Sequence, residues 1–235
     1  MAVQTLTVTT TLDQNDGSTT GGLSLRDALM IANADTDNEY IIELQGGADY
    51  FLSLGSRDNN DVKSGDLDIY AGANITIRSL GNEPARIDAT SISGGDRVFH
   101  ILDDGTLTLE KVIVSGGSGV YNGGGIYVGD ATLNLLNTTI TDNVATSGGG
   151  IYNGGNVSIY NSSITSNTVL SSGGGIYNYY GSNLTIINST ISNNITNGFG
   201  GGINNDGNNV TIVNSTITGN DANSSSNTNV GWDLQ

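Results

Sequence analysis

The residues that could do chemistry are concentrated in the first half of the chain. Asp66 and Asp68 stand two apart in "GDLDIY", and that alternation puts both side chains on one face of a strand. Asp88, Asp96, Arg97, His100, Asp103 and Asp104 follow within one or two further strand-like segments. Two carboxylates flanking a glycosidic bond could hydrolyse it. A base beside a cation could remove the proton next to a uronate carboxyl. Asp66, Asp68, Asp88, Arg97 and His100 therefore form the candidate catalytic set. The competing expectation is that all of them are outward, solvated residues. His100 alternates with the apolar Phe99 and Ile101, which places it outward.

A second candidate is a calcium site. The stretch "RDNNDVKSGDLD" (57–68) gathers Asp58, Asp61, Asp66 and Asp68 around Asn59 and Asn60. Ca2+ takes about six to eight oxygens, often from acidic loops of this kind. Solubility alone is the competing explanation for the acids. "DQNDG" (13–17) resembles the start of a calcium-binding loop, but its glycine comes one position early. There is no cysteine and one histidine, so thiolate zinc sites and His-rich sites are excluded.

Two repeated surfaces complete the candidates. Tyr127, Tyr152 and Tyr177 recur at an offset of 25 residues. Their rings could bind the rings of a polysaccharide or surface glycan, or stabilise a sheet by stacking on each other. Thr139, Ser163, Thr190 and Thr216, with Thr141, Thr165, Ser192 and Thr218, form outward hydroxyl columns that could order water and bind ice. Threonine is common on any exposed strand, and the serines break the regularity.

What must position these residues is a repeat. "GGGIY" at 123–127, 148–152 and 173–177, then "GGGIN" at 200–204, are spaced by 25, 25 and 27 residues. Each is followed by a unit such as "NVSIYNSSITSN" (156–167), and "TLTLEKVIVSGG" (106–117) is a degenerate earlier copy. Apolar residues alternate with period two in short runs bounded by Gly and Asn, which excludes helical repeats. A unit this short with about three strands fits one coil of a parallel β-helix. Stacking the units predicts inward columns at Ile126/Ile151/Ile176/Ile203, Leu133/Val157/Leu184/Val210, Leu135/Ile159/Ile186/Ile212 and Ile140/Ile164/Ile191/Ile217. Asparagine columns at Asn137/Asn161/Asn188/Asn214 and Asn143/Asn167/Asn194/Asn220 fall at corners, where Asn tolerates left-handed backbone and amides can bond along the stack. The repeat also generates Asn-x-Ser/Thr triplets that read formally as glycosylation sites.

The fold class is thus all-β, a parallel β-helix of about six to seven coils, with an N-terminal strand and short helix as cap. Residues 1–38 are the cap, with its strand in "TLTVTT" and its helix over 24–34. Residues 39–105 are irregular coils and 106–235 regular ones, all in one domain. Ser24 and Asp27 form a capping box, and Leu25, Ala28, Leu29 and Ala32 share a face. The tail "DANSSSNTNVGWDLQ" shows no capping helix, and the chain is expected to come from a longer protein.

The net charge of −16 is uneven: residues 1–111 hold 18 acids and 7 bases, and residues 112–235 hold 5 acids and no Lys, Arg or His. Nucleic acid is excluded as a partner, since phosphate binding relies on Lys and Arg. No apolar run is long enough to span a membrane. The start "MAVQTLTVTTT" lacks the basic and apolar regions of a signal peptide, which leaves a removed signal, export by another route, or a cytoplasmic protein.

"LSLRDALMIAN" (23–33) resembles the CSLREA motif that opens many bacterial right-handed β-helix proteins, with Leu23 in the Cys position. "GDLDI", "DRVFHI" and "GGGIYN" are similar to that family's sequences. The GGGI and I-x-x-N pairs, such as Ile140 with Asn143, resemble the repeats of polymorphic outer membrane proteins. The resemblance implies that the parallel β-helix is right-handed, and it implies a secreted or cell-surface protein with an adhesin-like role. The leading functional expectation is a non-catalytic surface module. A carbohydrate-active enzyme (polysaccharide lyase, hydrolase or epimerase) with a groove over the N-terminal coils is the alternative, and ice binding the minor one.

Overall fold

In the computed structural model, residues 2–17, 21–55, 61–118 and 120–223 are described. The chain winds into a parallel β-solenoid whose strands stack in four sheets, of eight, seven, six and five strands. Only the regular coils carry the fourth side, so about five turns are complete with four sides, slightly fewer than the six to seven coils expected. The irregular segments at 39–44, 50–54, 65–70, 74–80, 85–90 and 96–102 contribute the strands Glu39–Leu44, Asp49–Phe51, Leu67–Ile69, Asn74–Ser79, Ala85–Asp88 and Phe99–Ile101.

The four predicted apolar columns exist in register. Ile126 pairs with Ile151, Ile151 with Ile176 and Ile176 with Ile203. Leu133 pairs with Val157 and Leu135 with Ile159, and the pattern continues through Leu184 and Ile186 to Val210 and Ile212. Ile140, Ile164, Ile191 and Ile217 close the set. Each fully buried Ile or Leu stabilises the stack by roughly 1.5–3 kcal/mol. The degenerate copy joins it through Leu107, Leu109 and Val114.

The two asparagine columns do different work. Asn137, Asn161, Asn188 and Asn214 have φ between 49° and 52°, the left-handed corner that Asn tolerates. Asn143, Asn167 and Asn194 are buried with their amides in a ladder: Asn143 Nδ2 donates to Asn167 Oδ1 at 3.0 Å, Asn167 to Asn194 at 3.0 Å, and Asn194 to Asn220 at 2.9 Å. The glycine triplet is explained by its own geometry at 148–150. Gly148 takes φ +61°, and a Cβ on Gly149 would stand 2.5 Å from the Gly174 carbonyl of the next coil.

The N-terminal end is covered as expected, with a small shift. The strand is Val3–Thr7 rather than residues 5–10, because Thr9 N and Thr10 N donate to the Leu23 carbonyl instead of continuing the ladder. The helix is Leu25–Asn33 with Ser24 as N-cap, its hydroxyl accepting from Asp27 N at 3.0 Å. The tail from residue 224 on, with Trp232 and Leu234, lies outside the described residues. Among the described residues no helix is long and apolar enough to cross a membrane.

Candidate functional site

The third side of the solenoid carries one outward column that changes character along its length. Asp68 pairs in register with His100, His100 with Tyr127, Tyr127 with Tyr152, and Tyr152 with Tyr177. Acid and imidazole occupy the irregular end, and aromatics occupy the regular end.

The acidic end is buried, which corrects the expectation of solvated residues. Asp68 and Asp96 are 0% exposed, Asp66 2% and Arg97 8%. Arg97 Nε lies 3.2 Å from Asp66 Oδ2 and 3.9 Å from Asp96 Oδ1. Its guanidinium also covers the Tyr127 ring at 5.3 Å. His100 Nδ1 lies 3.4 Å from Asp68 Oδ1, and its ring meets Tyr127 edge-on at 5.0 Å. Asp96 is a turn-forming acceptor, taking the amides of Arg97 at 2.9 Å and Asp66 at 3.3 Å. Asp66 Oδ1 and both oxygens of Asp68 accept no hydrogen bond.

Burial and like charge set the electrostatics. Desolvation, then the neighbouring Asp68 and Asp96, push Asp66 up to about 8. Desolvation raises Asp68 to about 7, with Arg97 opposing and Asp96 adding to the rise. These carboxyls titrate as one system.

The cap helix holds this strand in place through residues that sequence reasoning missed. Arg26, fully buried, bonds Asp13 at 2.6 Å and donates to the carbonyls of Val62, Gly65 and Asp66. Asn33 donates to the Asp68 carbonyl at 2.8 Å and accepts from Tyr70 N at 3.0 Å. Their seven-residue spacing puts both on one helix face with Leu29, and that face was readable from the sequence. The polar residues of "LSLRDALMIAN" thus anchor the cap to the rung that carries Asp66 and Asp68.

The other candidates do not join this cluster. Asp88 lies on another side, where its carboxylate accepts from Thr90 N at 2.8 Å and Ser115 Oγ at 3.1 Å. Asp103 accepts from Asp130 N at 3.0 Å in an exposed turn. Asp61 lines a shallow cleft of about 240 Å3 with Met30, Asn33, Val62, Lys63 and Tyr70. Asp58 lies outside the described residues. Among the described residues, the carboxylates and imidazole that converge are Asp66, Asp68 and His100.

The tyrosines stack on each other. Tyr127 and Tyr152 are parallel within 3° at 5.1 Å, and Tyr152 and Tyr177 lie within 20° at 5.3 Å. The facing sides of these rings are therefore covered by neighbours. Tyr177 donates to Asp206 Oδ2 at 2.5 Å, and that bond pushes its own hydroxyl up to about 12. Burial raises Tyr152. The hydroxyl columns of the second side also stack in register, Thr139 beside Ser163 and Ser163 beside Thr190.

The family model for the right-handed beta helix region matches residues 71–231, more than half of the chain. The chain belongs to the right-handed β-helix family. Residues 71–231 span all the regular coils of this β-helix but not the cap or the Asp66–Asp68 rung. No curated protein and no solved structure is significantly similar to the chain.

Proposed function

We propose that this β-helix is a non-catalytic, adhesin-like module of a secreted or surface-attached protein, binding an extended glycan beside its tyrosine column. The observation that carries this reading is the corner at Tyr179 and Tyr180, which are 48% and 78% exposed. Tyr179 packs 5.8 Å from Tyr152 and 6.3 Å from Tyr177, so an exposed ring extends from a rigid aromatic base. Rigid, exposed aromatics offer contact area to sugar rings at low entropic cost. The resemblance to CSLREA-motif and polymorphic outer membrane proteins supports the same setting outside the cell.

Burial speaks against the enzymatic alternative. Asp66 and Asp68 are nearly inaccessible, and a hydrolase or lyase must bring its carboxylates against the sugar. A glycan array is the test, run with the intact chain and with Tyr179→Ala/Tyr180→Ala. The expected result is a retained glycan class whose binding the double variant weakens roughly tenfold or more, with melting temperature unchanged. Release of reducing ends or unsaturated uronates from any polymer would replace the binding role with catalysis. Absence of any retained glycan would remove this reading.

A further inference from the structure

Asp66 and Asp68 belong to one rung, and His100 to the next. One donor atom from each lies within 4.8 Å of the others. We propose that Asp66, Asp68 and His100 form a site for one divalent transition-metal ion of the zinc class, clamping two successive rungs beneath the cap.

Two independent observations carry this. The first is geometric: the separation of 3.4 Å between His100 Nδ1 and Asp68 Oδ1 matches the spacing of about 3.3 Å between donors in a tetrahedral site with bonds near 2.05 Å. The second is the state of the carboxylates. Asp66 Oδ1 and both Asp68 oxygens are buried and accept no hydrogen bond. Buried acceptors normally have donors, and one cation between the three side chains would satisfy them together. Charge points the same way, since Asp66 and Asp96 both lie beside the Arg97 guanidinium and Asp68 is buried on the same strand segment as Asp66. Arg97 engages the Oδ2 side of Asp66 and would orient that carboxylate from outside the coordination shell.

The donor set selects the ion. Two carboxylates and one imidazole suit zinc-like ions, whereas Ca2+ prefers an all-oxygen cage with more ligands. The imidazole would coordinate through Nδ1 and keep its proton on Nε2. The role is structural. In the regular coils buried amides tie rung to rung, and here the ion would do so. The site is independent of glycan binding at the tyrosine corner.

The test uses the full chain, treated with chelator and titrated with Co2+ and then Zn2+. The expected result is one equivalent of Co2+ with visible bands of a low-coordinate site, displaced by Zn2+. Melting temperature should rise by roughly 5–10 °C at hundredfold excess of Zn2+ over its Kd. Asp68→Asn and His100→Ala should each weaken Zn2+ binding by roughly 100-fold or more. Asp88→Asn, whose carboxylate is bonded on another side, should leave it unchanged. Lack of saturable Co2+ or Zn2+ binding overturns the proposal, as does preference for Ca2+ or unchanged affinity in both ligand variants. If those variants do not fold, the wild-type spectrum decides: bands of six-coordinate aqua-like cobalt overturn it.

Discussion

The regular coils from Thr106 onward and the irregular coils before them share one architecture but dispose of their polar atoms differently. In the regular part the buried asparagine and serine columns meet their own copies one rung away. Asn167 Nδ2 shares its two hydrogens among Asn194 Oδ1, the Ile140 carbonyl and the Thr165 carbonyl, and its Oδ1 accepts from Asn143. Serines repeat the device, with Ser189 Oγ accepting from Ser162 N at 3.1 Å. Repetition thus satisfies polar groups internally and leaves little for chemistry. In the irregular part no copy stands above or below, so charged residues are buried against unlike partners and some acceptors stay unmatched. Breaking the repeat is what creates a candidate site.

Mutations that remove one side of this contrast should have graded effects. The largest is expected at Arg26→Ala, which takes the counter-charge from the buried Asp13 carboxylate and the donor from three carbonyls. A loss of about 3–5 kcal/mol is expected in urea unfolding, and a loss under 1 kcal/mol would show that the cap is not coupled to the coils. Next comes Asn167→Ala, which breaks the ladder in the middle of the regular part. About 2–4 kcal/mol should be lost, because several buried groups lose partners at once. Asn161→Gly at the neighbouring corner should cost little, since glycine also accepts its φ of 50°. Equal effects at the two positions would erase the distinction between ladder and corner.

An effect of opposite sign, growing with pH, is expected at Asp66→Asn in the presence of chelator. The raised folded-state pKa of this acid means that the folded chain holds a proton the unfolded chain has lost. Its contribution therefore turns destabilising as pH rises from about 4 and is fully developed above about 8. The variant cannot ionise there, so it should gain on the wild type between pH 5 and pH 9. A difference that is flat with pH would refute the shift. The smallest effect is expected at Thr190→Val on the outer surface of the regular coils, within about 0.5 kcal/mol. A larger change in melting temperature would mean that the hydroxyl columns contribute to stability.

Legibility in the sequence follows the same division. Ile140 and Asn143 could be placed from their spacing, because a repeat with in-register stacking tells each residue who its neighbours are. The sequence singles out Asp66, Asp68 and His100 but leaves open whether they converge or are solvated, and it groups Asp88 with them although it faces another side. In irregular coils the strand lengths and corners vary, so spacing along the chain no longer gives direction. The tyrosines show a further limit: their column was readable, but the sequence left open whether their faces would be turned to a ligand or to each other.

The sequence by itself determined the solenoid, the direction of its core columns and the need for an N-terminal cap, because period-two alternation and glycine–asparagine corners admit few packings. Only the tertiary structure decided which acids are buried together, because Asp66, Asp68, Asp96, Arg97 and His100 meet across rungs whose offset no repeat dictates. It also decided that Arg26 and Asn33, on a helix distant in sequence, hold the carbonyls of that same rung. Long-range burial of charge depends on what lies opposite, and that is a property of the folded chain.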